Sequence, residues 1–103
     1  MGLLSFLGFG NTKIKDALKA GAVIIDVRTA HEYDRGRISQ SVNIPVDKIA
    51  ANFERIKAMK KPVVLCCASG MRSGMAAGTL RNKGLKDVYN GGSWQRVLRL
   101  LNN

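Results

Sequence analysis

The sequence predicts an α/β domain with a mostly parallel central sheet flanked by helices. Two short β-branched runs, Ala22–Asp26 and Val63–Cys66, are apolar almost throughout, as strands buried on both faces are. They alternate with amphipathic segments of helical period. The chain is 103 residues long, enough for one domain and no second. A composition of 46% hydrophobic and 23% charged residues is that of an ordinary globule and excludes disorder and low complexity.

The elements follow in order. Residues 1–10 form an apolar N-terminal segment and residues 11–103 the domain proper. Gly2–Gly10 is uncharged but far shorter than the roughly 20 residues of a spanning helix. It lacks the basic start and small-residue cleavage site of a signal peptide. Phe6 stands where an N-myristoylation signal wants Ser or Thr. The segment reads as a strap over the domain's own core through Leu3, Leu4, Phe6, Leu7 and Phe9, with a membrane anchor or partner-docking segment as the alternative. Thr12 is expected to cap a helix with Ile14, Ala17, Leu18 and Gly21 on one face. The first strand is Ala22–Asp26. Thr29–Arg35 forms a short helix ending at Gly36, and Val42–Pro45 a short strand stopped by proline. Asp47 is expected to cap a helix carrying Ile49, Phe53 and Ile56 on one side.

Pro62 opens the second buried strand, and a glycine-bearing loop follows at Cys67–Arg72. Ser73–Lys83 reads as a helix with Gly84 as its stop. Val88-Tyr89 is a third strand, Gly91-Gly92 a turn, and Ser93 the cap of a last helix with Trp94, Val97, Leu98 and Leu101 on its apolar stripe.

Seventeen Lys and Arg against seven Asp and Glu leave a net charge of +10, a field that favours anionic partners. The two cysteines, Cys66 and Cys67, are adjacent, and neighbours cannot form a disulfide of ordinary geometry. Both read as free thiols in a reducing compartment, which points to the cytoplasm.

Chemistry concentrates at Cys66-Cys67-Ala68-Ser69-Gly70-Met71-Arg72-Ser73. A strand delivers a thiol to a tight turn, and a helix begins at once. Small residues let the backbone curl so that successive N–H groups converge on an anion, reinforced by the positive end of the helix dipole. Arg72 adds a fixed cation. A thiol at the centre loses its proton more readily than free cysteine. Cys66 still belongs to the strand and is expected to pack in the core, with its side chain directed away from that of Cys67.

At this point the sequence resembles the rhodanese, or thiosulfate sulfurtransferase, superfamily. Cys67 to Ser73 is similar to its active-site loop, C-x-x-G-x-R-S. Asp26-Val27-Arg28, Glu32-Tyr33, Gly36-Arg37-Ile38 and Asn43-Ile44-Pro45 match a second pattern of that family in order and spacing, and Gly91-Gly92 before Trp94 a third. Arg37 stands in place of the usual histidine, Ser41 in place of the usual alanine, and Trp94 follows the glycine pair early.

The resemblance implies a single rhodanese-like domain and covalent sulfur transfer. The Cys67 thiolate would take the outer sulfur of thiosulfate or a similar donor, become a persulfide, and pass the sulfur to cyanide, a thiol or a sulfur-carrier protein. Ala68, Ser69, Gly70, Met71, Arg72 and Ser73 would form the substrate-binding cradle. Arg72 would lend its charge to the loop or to the donor. No metal or cofactor is implied.

Arg28 and Glu32 are expected to form an ion pair beside the pocket, Asp26 to be structural, His31 to be solvated and Trp94 to be core. Two other functions fit parts of the sequence. Counted from Cys66, the loop satisfies the C-x5-R pattern of cysteine phosphatases. The charge would suit a nucleic-acid-binding module, but the basic residues are dispersed, with only Lys60-Lys61 adjacent, and no aromatic stacking motif accompanies them, so no nucleic-acid partner is expected.

Overall fold

The computed structural model describes residues 2–103, with side chains from residue 10 onward. In chain order the elements are α1 (Gly2–Lys19), β1 (Val23–Asp26), α2 (Ala30–Asp34), β2 (Val42–Asn43), two 3-10 turns (Val46–Lys48 and Ala50–Asn52), α3 (Phe53–Ala58), β3 (Val63–Cys67), α4 (Met71–Asn82), β4 (Val88–Ser93) and α5 (Trp94–Leu101). The four strands form one sheet in the order β2-β1-β3-β4, and every pairing is parallel. The α/β architecture expected from the buried apolar runs is the one observed.

Strand alternation divides the interior into two cores. Ile25, Val27, Val63, Leu65 and Cys67 face one side, packed with Ile49, Ile56, Ala76, Ala77 and Leu80. Ile24, Val64 and Cys66 face the other side, packed with Ile14, Ala17 and Val97, and with the half-buried Trp94, Leu98 and Leu101. The small residues Ala76 and Ala77 bring α4 close to the sheet, so its N-terminus is set over the carboxyl end of β3.

Four local expectations are corrected. Thr12 does not cap a helix, because α1 already runs through it from Gly2. Asp47 does not cap one either; the chain after Pro45 makes two 3-10 turns before α3, and none of these elements has a side-chain cap. Helix α4 starts two residues earlier than expected, at Met71. Gly91-Gly92 does not end the third strand: β4 continues through both glycines to Ser93. The strap reading of Gly2–Gly10 rests on the side chains of Leu3, Leu4, Phe6, Leu7 and Phe9, which lie outside those described. Among the described residues no helix is long and apolar enough to cross a membrane.

Candidate active site

Cys67 is the last residue of β3, and the chain reverses through Ala68–Gly70 into α4. Gly70 has φ +102, a conformation that suits glycine, and a Cβ there would meet the Gly92 Cα at 3.3 Å. This turn aims main-chain donors at the sulfur. The Gly70 N–H donates to Cys67 Sγ at 2.9 Å and the Ser73 N–H at 3.4 Å. No side chain caps α4 at Gly70, and the sulfur occupies the N-terminal end where helix donors are otherwise unmet.

Burial alone would push the Cys67 thiol up. The hydrogen bonds that converge on the sulfur from the turn outweigh it, and the thiol ends below its ordinary value. Cys66, on the opposite face, has no such donors. Its burial, with the nearby Asp26 carboxylate adding to the effect, pushes it up to about 12. The two neighbouring thiols are thus separated chemically as well as spatially.

The cradle residues differ in what they do. Gly70 and Ser73 address the sulfur directly. Ala68 and Ser69 are exposed at the turn, and Met71 is 78% exposed. Arg72 turns to α2, where its Nη1 and Nη2 bond Glu32 Oε1 and Oε2 at 2.7 and 3.0 Å. The same Glu32 closes a capping box with Thr29. The Arg72 guanidinium, helped by the Thr29 N–H, holds the Glu32 carboxyl down to about 2.

The expected Arg28–Glu32 ion pair is not formed. Arg28 pairs with Asp26 instead, through Nε and Nη2 at 2.8–3.0 Å. It also donates to the carbonyls of Glu32 and Gly36 and lies 5.1 Å from the Trp94 ring centre. Asp26 is buried and two residues away, so the shorter and drier partner wins. Asn43 ties β2 to this hub by donating to the carbonyls of Asp26 and Arg28. His31 is exposed.

One participant escaped the sequence reading. Asn90, on β4, accepts from the Ser73 hydroxyl at 2.6 Å and from the Gly92 N–H at 3.0 Å, and donates to the Gly70 carbonyl at 3.1 Å. Its position just before a glycine pair at a strand's carboxyl end was the available signal.

The rhodanese-like domain family model matches residues 11–96. The chain belongs to that family. This rhodanese-like domain is 38% identical over 82 residues to the uncharacterized protein YqhL of Bacillus subtilis, covering 77% of this chain and 64% of that protein. It is 37% identical over 70 residues to the thiosulfate sulfurtransferase GlpE of Pseudomonas syringae, covering 68% and 65% respectively. The chain thus spans less than two thirds of each of these relatives. Among solved structures it is similar to a rhodanese with anions from E. coli, with TM-score 0.68, 26% identity and coverage of 74% of this chain and 91% of that one. A human single-domain sulfurtransferase gives TM-score 0.66 and 25% identity, covering 85% and 91%.

Proposed function

We propose that this domain is a sulfurtransferase in which Cys67 carries a sulfane sulfur from thiosulfate, or a similar anionic donor, to a thiol or cyanide. The observation that supports it most is the convergence of the Gly70 and Ser73 N–H groups on Cys67 Sγ at a helix N-terminus. The GlpE relatives, named as thiosulfate sulfurtransferases, support the donor class.

The Cys67 thiolate attacks the outer sulfur of thiosulfate. A new sulfur–sulfur bond forms, the donor's sulfur–sulfur bond breaks, and sulfite leaves with its electron pair. The persulfide anion then lies among the same N–H donors, which hold negative charge at no cost in reorganisation. An acceptor thiolate or cyanide attacks the outer sulfur, and the Cys67 thiolate leaves. Arg72 acts by fastening the loop to α2 through Glu32. The excess of positive charge draws in the anionic donor, and it suits an acidic sulfur-carrier protein as acceptor. A relative named as a putative sulfur carrier protein in Bacillus subtilis is in keeping with such a partner. Two free thiols suit a reducing compartment such as the cytoplasm.

No observation favours the phosphatase reading. Its nucleophile would be Cys66, which lies in the core with Ile24, Val64 and Val97 and has its thiol pushed up to about 12.

The test is intact-protein mass spectrometry after thiosulfate treatment, with and without reductant. The expected result is a reducible gain of one sulfur atom on Cys67. Cys67→Ser abolishes it, because a hydroxyl cannot form a persulfide. Cys66→Ser keeps it at a cost of ~1–2 kcal/mol in stability from a buried hydroxyl. Loading that survives Cys67→Ser overturns the assignment.

A further inference from the structure

The Ser73 hydroxyl has two neighbours that want its one proton. Oγ lies 2.6 Å from Asn90 Oδ1 and 3.4 Å from Cys67 Sγ. The Asn90 amide cannot be turned round. Its Oδ1 meets the Gly92 N–H, a donor, and its Nδ2 meets the Gly70 carbonyl, an acceptor. Ser73 must therefore donate to Oδ1. In that arrangement the Ser73 oxygen presents only lone pairs to the sulfur. It can accept from an S–H but gives nothing to a thiolate.

We propose that Asn90 is a positioning residue of the sulfur site: by accepting the Ser73 proton, it withholds a side-chain hydrogen bond from the Cys67 thiolate. The inference rests on Cys67 as the reacting sulfur. Its chemical sense is that a thiolate with too many donors is abundant but a poor nucleophile. Main-chain donors stabilise the ion, and Asn90 limits the side-chain contribution. The bulge in β4 makes this possible. Pairing runs Leu65↔Asn90 and then Cys67↔Ser93, so β4 carries one extra residue there. Asn90 shares the face of Leu65, which is the face of α4.

Other charges at this end of the sheet do not imitate the effect. Arg72 is paired with Glu32, Arg28 with Asp26, and Arg96 on α5 is held by Asn11 and the Gly91 carbonyl. Cys66, pushed up to about 12, keeps its proton through the range of interest.

The test is a four-protein cycle of wild type, Ser73→Ala, Asn90→Ala and the double variant. The Cys67 thiolate is titrated by ultraviolet absorbance and by site-resolved alkylation rate. Asn90→Ala is expected to raise the thiolate fraction below the midpoint by ~3- to 10-fold, the range of one ordinary net hydrogen bond, as suits a 3.4 Å contact to sulfur. In the Ser73→Ala background the same substitution is expected to change nothing. Equal shifts in both backgrounds, or no rise with Ser73 present, overturn the proposal. Asn90→Asp guards against a loop that merely loosens. Its carboxylate still accepts from Ser73 and adds negative charge, so the thiolate fraction falls; a rise overturns the proposal. Sulfur loading is read separately by mass, so this inference and the proposed function can fail independently.

Discussion

Replacing Glu32 by Gln removes one charge from the pair that fastens the cysteine loop to α2, yet Gln still accepts from the Thr29 N–H and keeps the cap. The magnitude follows from linkage. The Glu32 carboxyl is held down to about 2 from its ordinary 4.5, with Arg72 as the largest cause. A depressed folded-state value stabilises the fold above the unfolded value and is lost as pH falls through the folded one. The window is therefore pH 4.5 down to 2. The full shift corresponds to about 3 kcal/mol, but the Arg72 and Glu32 side chains are 33% and 35% exposed. Solvent screening reduces the contribution to ~1 kcal/mol. Urea unfolding of wild type and Glu32→Gln is the assay, across pH 7 to 2.5. The variant is expected to be ~1 kcal/mol less stable at pH 7, and the two curves to converge on the acid side. Arg72→Gln is expected to cost a similar amount, and the double variant no more than either single one. A difference between wild type and Glu32→Gln that persists undiminished at pH 2.5 refutes the ion pair as its cause.

Arg28→Met leaves the fully buried Asp26 carboxylate without its partner and is expected to cost ~3–5 kcal/mol in denaturant unfolding; a loss below ~1 kcal/mol contradicts the buried hub. Gly91→Ala places a Cβ 2.6 Å from Val97 Cγ2 and 2.9 Å from both the Leu65 carbonyl oxygen and Val64 Cγ1. A loss of ~1–3 kcal/mol is expected by thermal melt. Gly78→Ala, mid-helix in α4 with nothing within 4 Å of the new methyl, is its control and is expected to gain ~0.5–1 kcal/mol.

Much of the site was legible in sequence because it is local. The strand-to-turn-to-helix switch at Cys67–Met71 needs only neighbouring residues, and period-two alternation alone separates Cys66 from Cys67. Partner choice was less legible. Arg28 has acidic residues two positions before it and four after, and only burial decides between them. The Asn90 contacts depend on the one-residue irregularity between β3 and β4, which no spacing along the chain announces. Gly91-Gly92 has the composition of a turn. Yet both residues belong to the strand, and at Gly91 the glycine is needed because Val97 and the Leu65 carbonyl occupy the space a side chain would take, a tertiary reason invisible in the pair itself.

The sheet acts as a wall between the only two thiols in the chain. A sulfenic acid or persulfide beside a reachable second cysteine is soon resolved from within, by closing an internal disulfide and expelling water or hydrosulfide. Here the second cysteine is the next residue, yet it faces the far core and keeps its proton. Among the described residues Cys67 has no resolving thiol. Under the proposed function, a sulfur-laden Cys67 would persist until another molecule brings the nucleophile, and discharge would be bimolecular.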